Sequence, residues 1–433
     1  MATITGNSLL RQLEGKPAGL LKIGLFILLI ISTFPNFLPR SRDSGLDQSW
    51  VIGLNEAAAR GMIFGKEIIF TYGPLGFIDA PIDTGANVTI AAYFRFAIFF
   101  LFLLSIALIV FPSTSLVVSS LYILVFIALT FLGTRFYLLI ELHLLLAVLG
   151  FLVFSQLRQS MLWAIPAAAL AGLALLVKFS IGMACASSFG IWAVVTLAQN
   201  PSMKTFFELS FLSLVFLAFF IGLFSLFGGP PATLIDYVRY SMVISRGYSS
   251  QMSGAPFGNI FDLILAIFQI ALLGTLVLSG APSNRRYLIL PILLAPSLFF
   301  LFKGGFVRYD RFHAEDYFTV IPAMAGFFLL IAKERWEKIA GSIMVCAVLM
   351  LSFVWHFSLF PSFSNPVANG YHRIRDLAQW SSGRERIRNQ DADVIKQQKL
   401  PSPILAKIGT QRVDAYPWDI SIPLANSLNW NPR

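Results

Sequence analysis

Apolar residues run in long blocks separated by short polar joints, and about 20 such residues make one helical crossing of a bilayer. Blocks of this kind occupy residues 18–38, 92–112, 114–133, 137–157, 160–177, 179–198, 205–227, 259–279, 287–302, 317–332 and 339–359. They predict an all-α polytopic membrane protein with about eleven spanning helices. The joints at Pro112 and Lys178 are so short that neighbouring blocks almost fuse. The first block follows Arg11, Lys16 and Lys22, as a signal peptide would, but ends in FPNFLPRSRD. That ending lacks a small-residue cleavage site and reads as a retained signal anchor.

Composition agrees. Hydrophobic residues make up 57% of the 433 positions and charged residues 12%, against about 25% charged in soluble domains. A soluble enzyme, a disordered chain and a coiled coil are thereby excluded. The 42 phenylalanines suit a lipid-facing surface. Lys and Arg number 32 against 22 Asp and Glu. Such an excess suggests nucleic-acid binding in a soluble protein, but here it first has to be assigned to a side of the membrane. Cys185 and Cys346 lie in apolar runs and read as small core residues. The four histidines lack the spacing of a zinc motif.

Basic residues in short loops mark the cytoplasmic side. Placing the N-terminus inside puts Arg11, Lys16, Lys22, Arg158, Lys204, Arg285, Arg286, Lys333, Arg335 and Lys338 in or beside cytoplasmic connectors. The outer face then receives loops 39–91, 228–258 and 303–316 and the tail. The predicted organisation is a cytoplasmic N-terminus (1–17), a transmembrane core (18–360) and an extracytoplasmic segment (361–433), in the plasma (inner) membrane. The tail carries ten basic and six acidic residues and stops soon after PWDISIPLANSLNW, in the style of an unfinished domain. Rigid scaffolds present functional loops, so chemistry is expected on the outer rim.

Loop 39–91 is the most informative. In LDQSWVIGLNEAAARG, Trp50, Leu54, Ala57 or Ala58, and Gly61 fall at helical spacing, predicting an amphipathic surface helix that Gly61 terminates. The turn-rich return FTYGPLGF follows and includes Tyr72, a candidate substrate contact. Asp47, placed just before the helix, has two compatible readings, an N-cap and a general base for a hydroxyl. Glu56 and Arg60 are spaced for an ion pair.

An acidic residue after the first span, a short amphipathic helix, a Gly and a Pro-Leu loop resemble the first outer loop of the C-type (GT-C) membrane glycosyltransferases. The likeness is greatest to the aminoarabinose transferase and protein O-mannosyltransferase branch. Asp47-Gln48 stands where that branch has an acidic pair, and Gly73-Pro74-Leu75 where it has Lys-Pro-Pro-Leu. The second acid is thus Gln48 here, and the lysine before the prolines is missing, as in a divergent branch. The resemblance implies an eleven-to-thirteen-span core with an outer C-terminal domain, covering most of the chain. It also implies a polyprenyl-phosphate-linked sugar donor, with Lys178, following GLALLV, holding the donor phosphate.

Further candidates lie at the outer ends of later spans. A boundary lysine such as Lys178 also snorkels without any function. In KGGFVRYDRFHAEDYF (303–318), Lys303, Arg308 and Arg311 balance Asp310, Glu315 and Asp316. Arg308, Asp310 and His313 are candidates for a phosphate. A structural ion-pair network is the plainer reading, and a divalent metal on His313, Glu315 and Asp316 stays open. No other cofactor is read. Intramembrane Glu141 is a functional candidate by default and is expected to pair with Lys178 or Arg135. Segment 236–252, with Arg239, Arg246 and several tyrosines, offers unspecific sugar or lipid contacts.

The leading reading is an inverting hexosyl or pentosyl transferase of the outer face. It would take sugar from a polyprenyl-phosphate donor to a lipid, glycan or protein hydroxyl, with Asp47 as base. The alternatives are a transporter or flippase of lipid-linked saccharide, which would put charges near the midplane on broken repeats, and a non-catalytic assembly protein.

Overall fold

The computed structural model describes residues 17–43, 45–113, 115–132, 139–251, 259–280, 286–307, 309, 311–359, 365–415 and 419–431. The helices are, in order, α1 (Pro17–Thr33), α2 (Leu46–Arg60), α3 (Ala86–Val110), α4 (Leu116–Leu132), α5 (Ile140–Arg158), α6 (Ala164–Val177), α7 (Phe179–Gln199) and α8 (Met203–Phe227). Then come α9 (Leu234–Gln251), α10 (Ile260–Gly280), α11 (Arg286–Val307), α12 (Arg311–Ile331) and α13 (Arg335–Leu359). The C-terminal segment holds α14 (Pro366–Ala378), α15 (Trp380–Gln397), α16 (Ser402–Ile408) and α17 (Ser421–Ala425). Strands β1 (Arg412–Val413) and β2 (Asn429–Trp430) pair in parallel.

Among the described residues, eight helices are long and apolar enough to cross a bilayer, and three shorter apolar helices lie within Ala18–Thr33, Leu116–Leu132 and Met161–Val177. Together they account for every predicted block. Helices α5 and α12 are central, each with 89% of its apolar window buried, whereas α8 has 22%. The outer helices turn Phe206, Phe211, Phe268 and Phe299 outward, where lipid replaces water as the solvent. Helical backbone satisfies its own hydrogen bonds in that medium. Pro291, Pro296 and Pro322 sit inside α11 and α12, an arrangement membrane helices tolerate because neighbours absorb the freed backbone groups.

Because the connectors are short, successive helices run in opposite directions and the bundle has two unlike ends. At one end lie residues 111–113, 115, 159–163, 200–202 and 332–334; there Lys22 Nζ donates to the carbonyls of Val110 (3.3 Å) and Ser113 (2.6 Å). The opposite end carries segment 34–85, helix α9 and the C-terminal segment.

The structure adds detail to one sequence expectation and corrects two. Residues 228–258, read as a loop outside the membrane, contain the five-turn helix α9; Leu234, Tyr237, Val238, Ser241 and Met242 form its packed stripe. Helix takes up most of the loop expected over 303–316, because α11 continues to Val307 and α12 begins at Arg311. Lys303 is accommodated in α11 by donating to Ser245 O at 3.2 Å. Helix α2 starts at Leu46, so Asp47 lies inside its first turn and Gly45, at φ +106°, takes the N-cap position. A positive φ suits glycine, and the turn it allows adds one more residue before Asp47. At the other end Gly61 caps α2 at φ +62°, as expected.

The C-terminal segment is docked on segment 34–85. Arg384 and Arg388 grip Asp83 at 2.8 and 2.9 Å, Arg42 N–H donates to Asp391 (2.6 Å), and Ser49 Oγ meets Asp419 (3.2 Å). Burial alone would raise the Asp83 carboxyl, but the hydrogen bonds from both arginines outweigh it and hold it below the ordinary range.

Candidate functional site

Lys178 is the single residue between α6 and α7, in extended backbone at φ −141°, ψ 117°. So tight a hairpin leaves helix-end carbonyls and N–H groups that need outside partners. The return after α2 supplies them. Gly73 N–H donates to Val177 O (3.2 Å), Leu75 N–H to Leu176 O (2.9 Å), and Phe179 N–H to Thr71 O (3.2 Å). Tyr237 Oη of α9 donates to Leu175 O at 2.6 Å. The Gly-Pro-Leu segment is therefore laid against the α6–α7 turn. A Cβ on Gly73 would sit 2.4 Å from both Leu176 O and Tyr237 Oη. Gly73→Ala is expected to destabilise the protein by about 1–3 kcal/mol or more. Gly190→Ala, where nothing lies within 4 Å, is expected to leave thermal unfolding in detergent unchanged.

The Lys178 ammonium donates to Glu141 Oε1 at 2.8 Å. It also lies 5.2 Å from the centroid of the Tyr72 ring, within cation–π range. Tyr72 stacks on Trp50 at 4.7 Å and on Phe70 at 6.1 Å, making a shelf of three aromatic faces beside the lysine. The side chain of Lys178 keeps 18% exposure, whereas Glu141 keeps 1%. The pair thus has a buried anionic side and an open cationic one.

Beneath it lies Asp79, fully buried after the short turn Gly76–Ile78. Its Oδ1 accepts from Glu141 N–H at 3.4 Å. Arg95 of α3 is spent on backbone: Nε donates to Ile78 O and Nη2 to Asp79 O, both at 2.5 Å, and Nη1 donates to Asn36 O. Asn55 staples α2 to the same return, donating to Val51 O and Ala80 O and accepting from Ile82 N–H and Asn87. Burial first, and then the Glu141 charge, push the Asp79 carboxyl up to about 6; Arg40, Arg95 and Lys178 oppose the rise. Three cations and two carboxylates share the cluster, so an anion at its open side would balance it.

A carboxyl raised in the folded state favours folding below its ordinary pKa and loses that contribution as pH climbs to the raised value. Asp79→Asn is therefore expected to gain on the order of 1–3 kcal/mol near pH 8 and nothing near pH 4. Unfolding measured at both pH values checks this; equal effects at both would contradict it.

The structure brings together three of the sequence candidates, Tyr72, Lys178 and Glu141. The Asp47 side chain and residues Arg135, Arg308 and Asp310 lie outside the described residues. His313 is half-buried in the first turn of α12, its carbonyl facing Gly305. Around it, Lys303 reaches α9 and Tyr309 Oη donates to Asp262 of α10. His143 is buried edge-on to Phe102 and Phe99, a packing role. Among the described residues no group of three His, Cys, Asp or Glu could hold a metal ion. Asp79, Arg95 and Asn55 were not singled out from the sequence. The chain matches no family model, and neither a curated relative nor a solved structure was found for it. What stands is an all-α, multi-pass membrane protein with a buried charged cluster at one end of its bundle.

Proposed function

We propose that this protein is a membrane glycosyltransferase. It would move a hexose or pentose from a polyprenyl-phosphate donor to an acceptor hydroxyl of a lipid, glycan or protein at the outer membrane face. The reading rests on one observation: an ammonium held by a buried carboxylate opens beside a three-ring aromatic shelf, at the bundle end that carries every long segment. A phosphate meets the excess positive charge, an apolar polyprenyl tail lies along the exposed helices, and a sugar face stacks on the aromatic rings. Asp47, in the first turn of α2, is the proposed base, giving inversion at the anomeric carbon. Arg308, Asp310 and His313 are further proposed donor contacts.

The test is reconstitution in liposomes with radiolabelled polyprenyl-phosphate sugars. The expected result is label leaving the lipid and appearing on an acceptor. Label that crosses the bilayer still attached to polyprenyl phosphate would assign the protein to lipid-linked sugar transport, and label that does neither would leave no chemistry at the rim.

A further inference from the structure

The opposite end of the bundle holds a second site. A cavity of about 310 Å³ opens between the α3–α4 connector, the end of α5 and the α12–α13 connector. Its buried lining is apolar, including Ile109 and Leu329, and its more exposed rim carries Ser113, Ser115, Arg158 and Lys338. We propose that this cavity binds the headgroup of an anionic phospholipid, phosphate at the rim and glycerol backbone against the apolar wall.

Three observations carry the assignment. The cavity has two cations and two seryl residues at its mouth and no carboxylate in its lining. Among the described residues, neither Arg158 nor Lys338 is ion-paired. Arg158 lies over the Phe154 ring at 5.3 Å, and Glu337, next to Lys338, accepts from the backbone N–H groups of Lys333 and Glu334. Lys338 also stands in the first turn of the 25-residue α13, where the helix dipole disfavours a cation and favours an anion. The split between a polar rim and an apolar wall is the profile of a lipid at the membrane boundary rather than of a soluble metabolite. This end is also the one that the charge bias assigns to the cytoplasm, whose leaflet is rich in anionic lipid.

The experiment measures lipid binding and thermal stability of the purified full chain in detergent. The probes are phosphatidylglycerol, phosphatidylcholine and inorganic phosphate. Phosphatidylglycerol is expected to be retained in native mass spectra and to raise the unfolding temperature, with phosphatidylcholine and inorganic phosphate doing neither. Arg158→Gln/Lys338→Gln should weaken phosphatidylglycerol binding roughly thirtyfold. Arg158→Lys/Lys338→Arg, which keeps both charges, should retain it, as should Arg286→Gln, which removes a charge from the same end outside this cavity. Equal stabilisation by inorganic phosphate would make this a free-phosphate site, and equal binding of phosphatidylcholine or unchanged binding by the double Gln variant would overturn the proposal.

Discussion

Lys178→Ala is expected to cost about 3–5 kcal/mol of stability, because it strands the Glu141 carboxylate with 1% exposure among apolar helices. Glu141→Ala should cost less, since the Lys178 side chain retains 18% exposure and its ammonium can turn to water. The double variant should cost little more than Lys178→Ala alone, giving a coupling of about 1–3 kcal/mol in a double-mutant cycle. Glu141→Gln in the Lys178→Ala background should recover part of the loss, because a neutral amide tolerates burial better than an isolated charge. Unfolding in detergent, followed by intrinsic tryptophan fluorescence, measures all four. Additive single effects would mean that the pair is incidental to the fold.

The second large effect concerns chemistry rather than stability. Asp47→Asn is expected to lower sugar transfer about 10²–10⁴-fold, the usual contribution of a positioned base. The unfolding temperature should barely move, since Asp47 lies in the first turn of α2 and exchanging a carboxylate for an amide there forfeits at most about 1 kcal/mol of dipole interaction. Transfer at the wild-type rate by Asp47→Asn would remove Asp47 from the role of base. A parallel loss of folding would make it structural.

Much of this architecture is legible in the chain because lipid imposes one strong rule: about 20 apolar residues per crossing. Each predicted block coincides with an apolar helix, including the fused pair at Lys178, where one extended residue separates α6 from α7. The existence of α2 and its stop at Gly61 were readable from helical spacing and the glycine cap, as was the i,i+4 Glu56–Arg60 pair, observed at 3.4 Å and joined by Arg42. Glu141 and Lys178 could be named as partners because few intramembrane charges exist to pair with.

What escaped is tertiary. Asp79 looked like one of six acids in a polar loop, and nothing local says that Gly76–Ile78 turns it under Glu141. Arg95 sat inside an apolar block, its role fixed by carbonyls more than fifteen residues away in sequence. The helical content of 228–258 and of 303–316 was missed for one reason. Polar side chains suggest a loop, although Leu234, Tyr237, Val238, Ser241 and Met242 already carry the helical repeat of α9. A charged helix end that finds a carbonyl, as Lys303 does, needs no loop.

The proposed orientation puts the charged cluster and its aromatic shelf outside, with the short basic connectors inside. Single cysteines introduced as Ile69→Cys and Ile404→Cys at the cluster end, and as Gln159→Cys and Trp336→Cys at the connector end, test it in a background lacking Cys185 and Cys346. With a membrane-impermeant maleimide on intact cells, positions 69 and 404 should label at once, and positions 159 and 336 only after lysis. Labelling of 159 and 336 in intact cells, with 69 and 404 protected, would turn the rim inward and contradict the account.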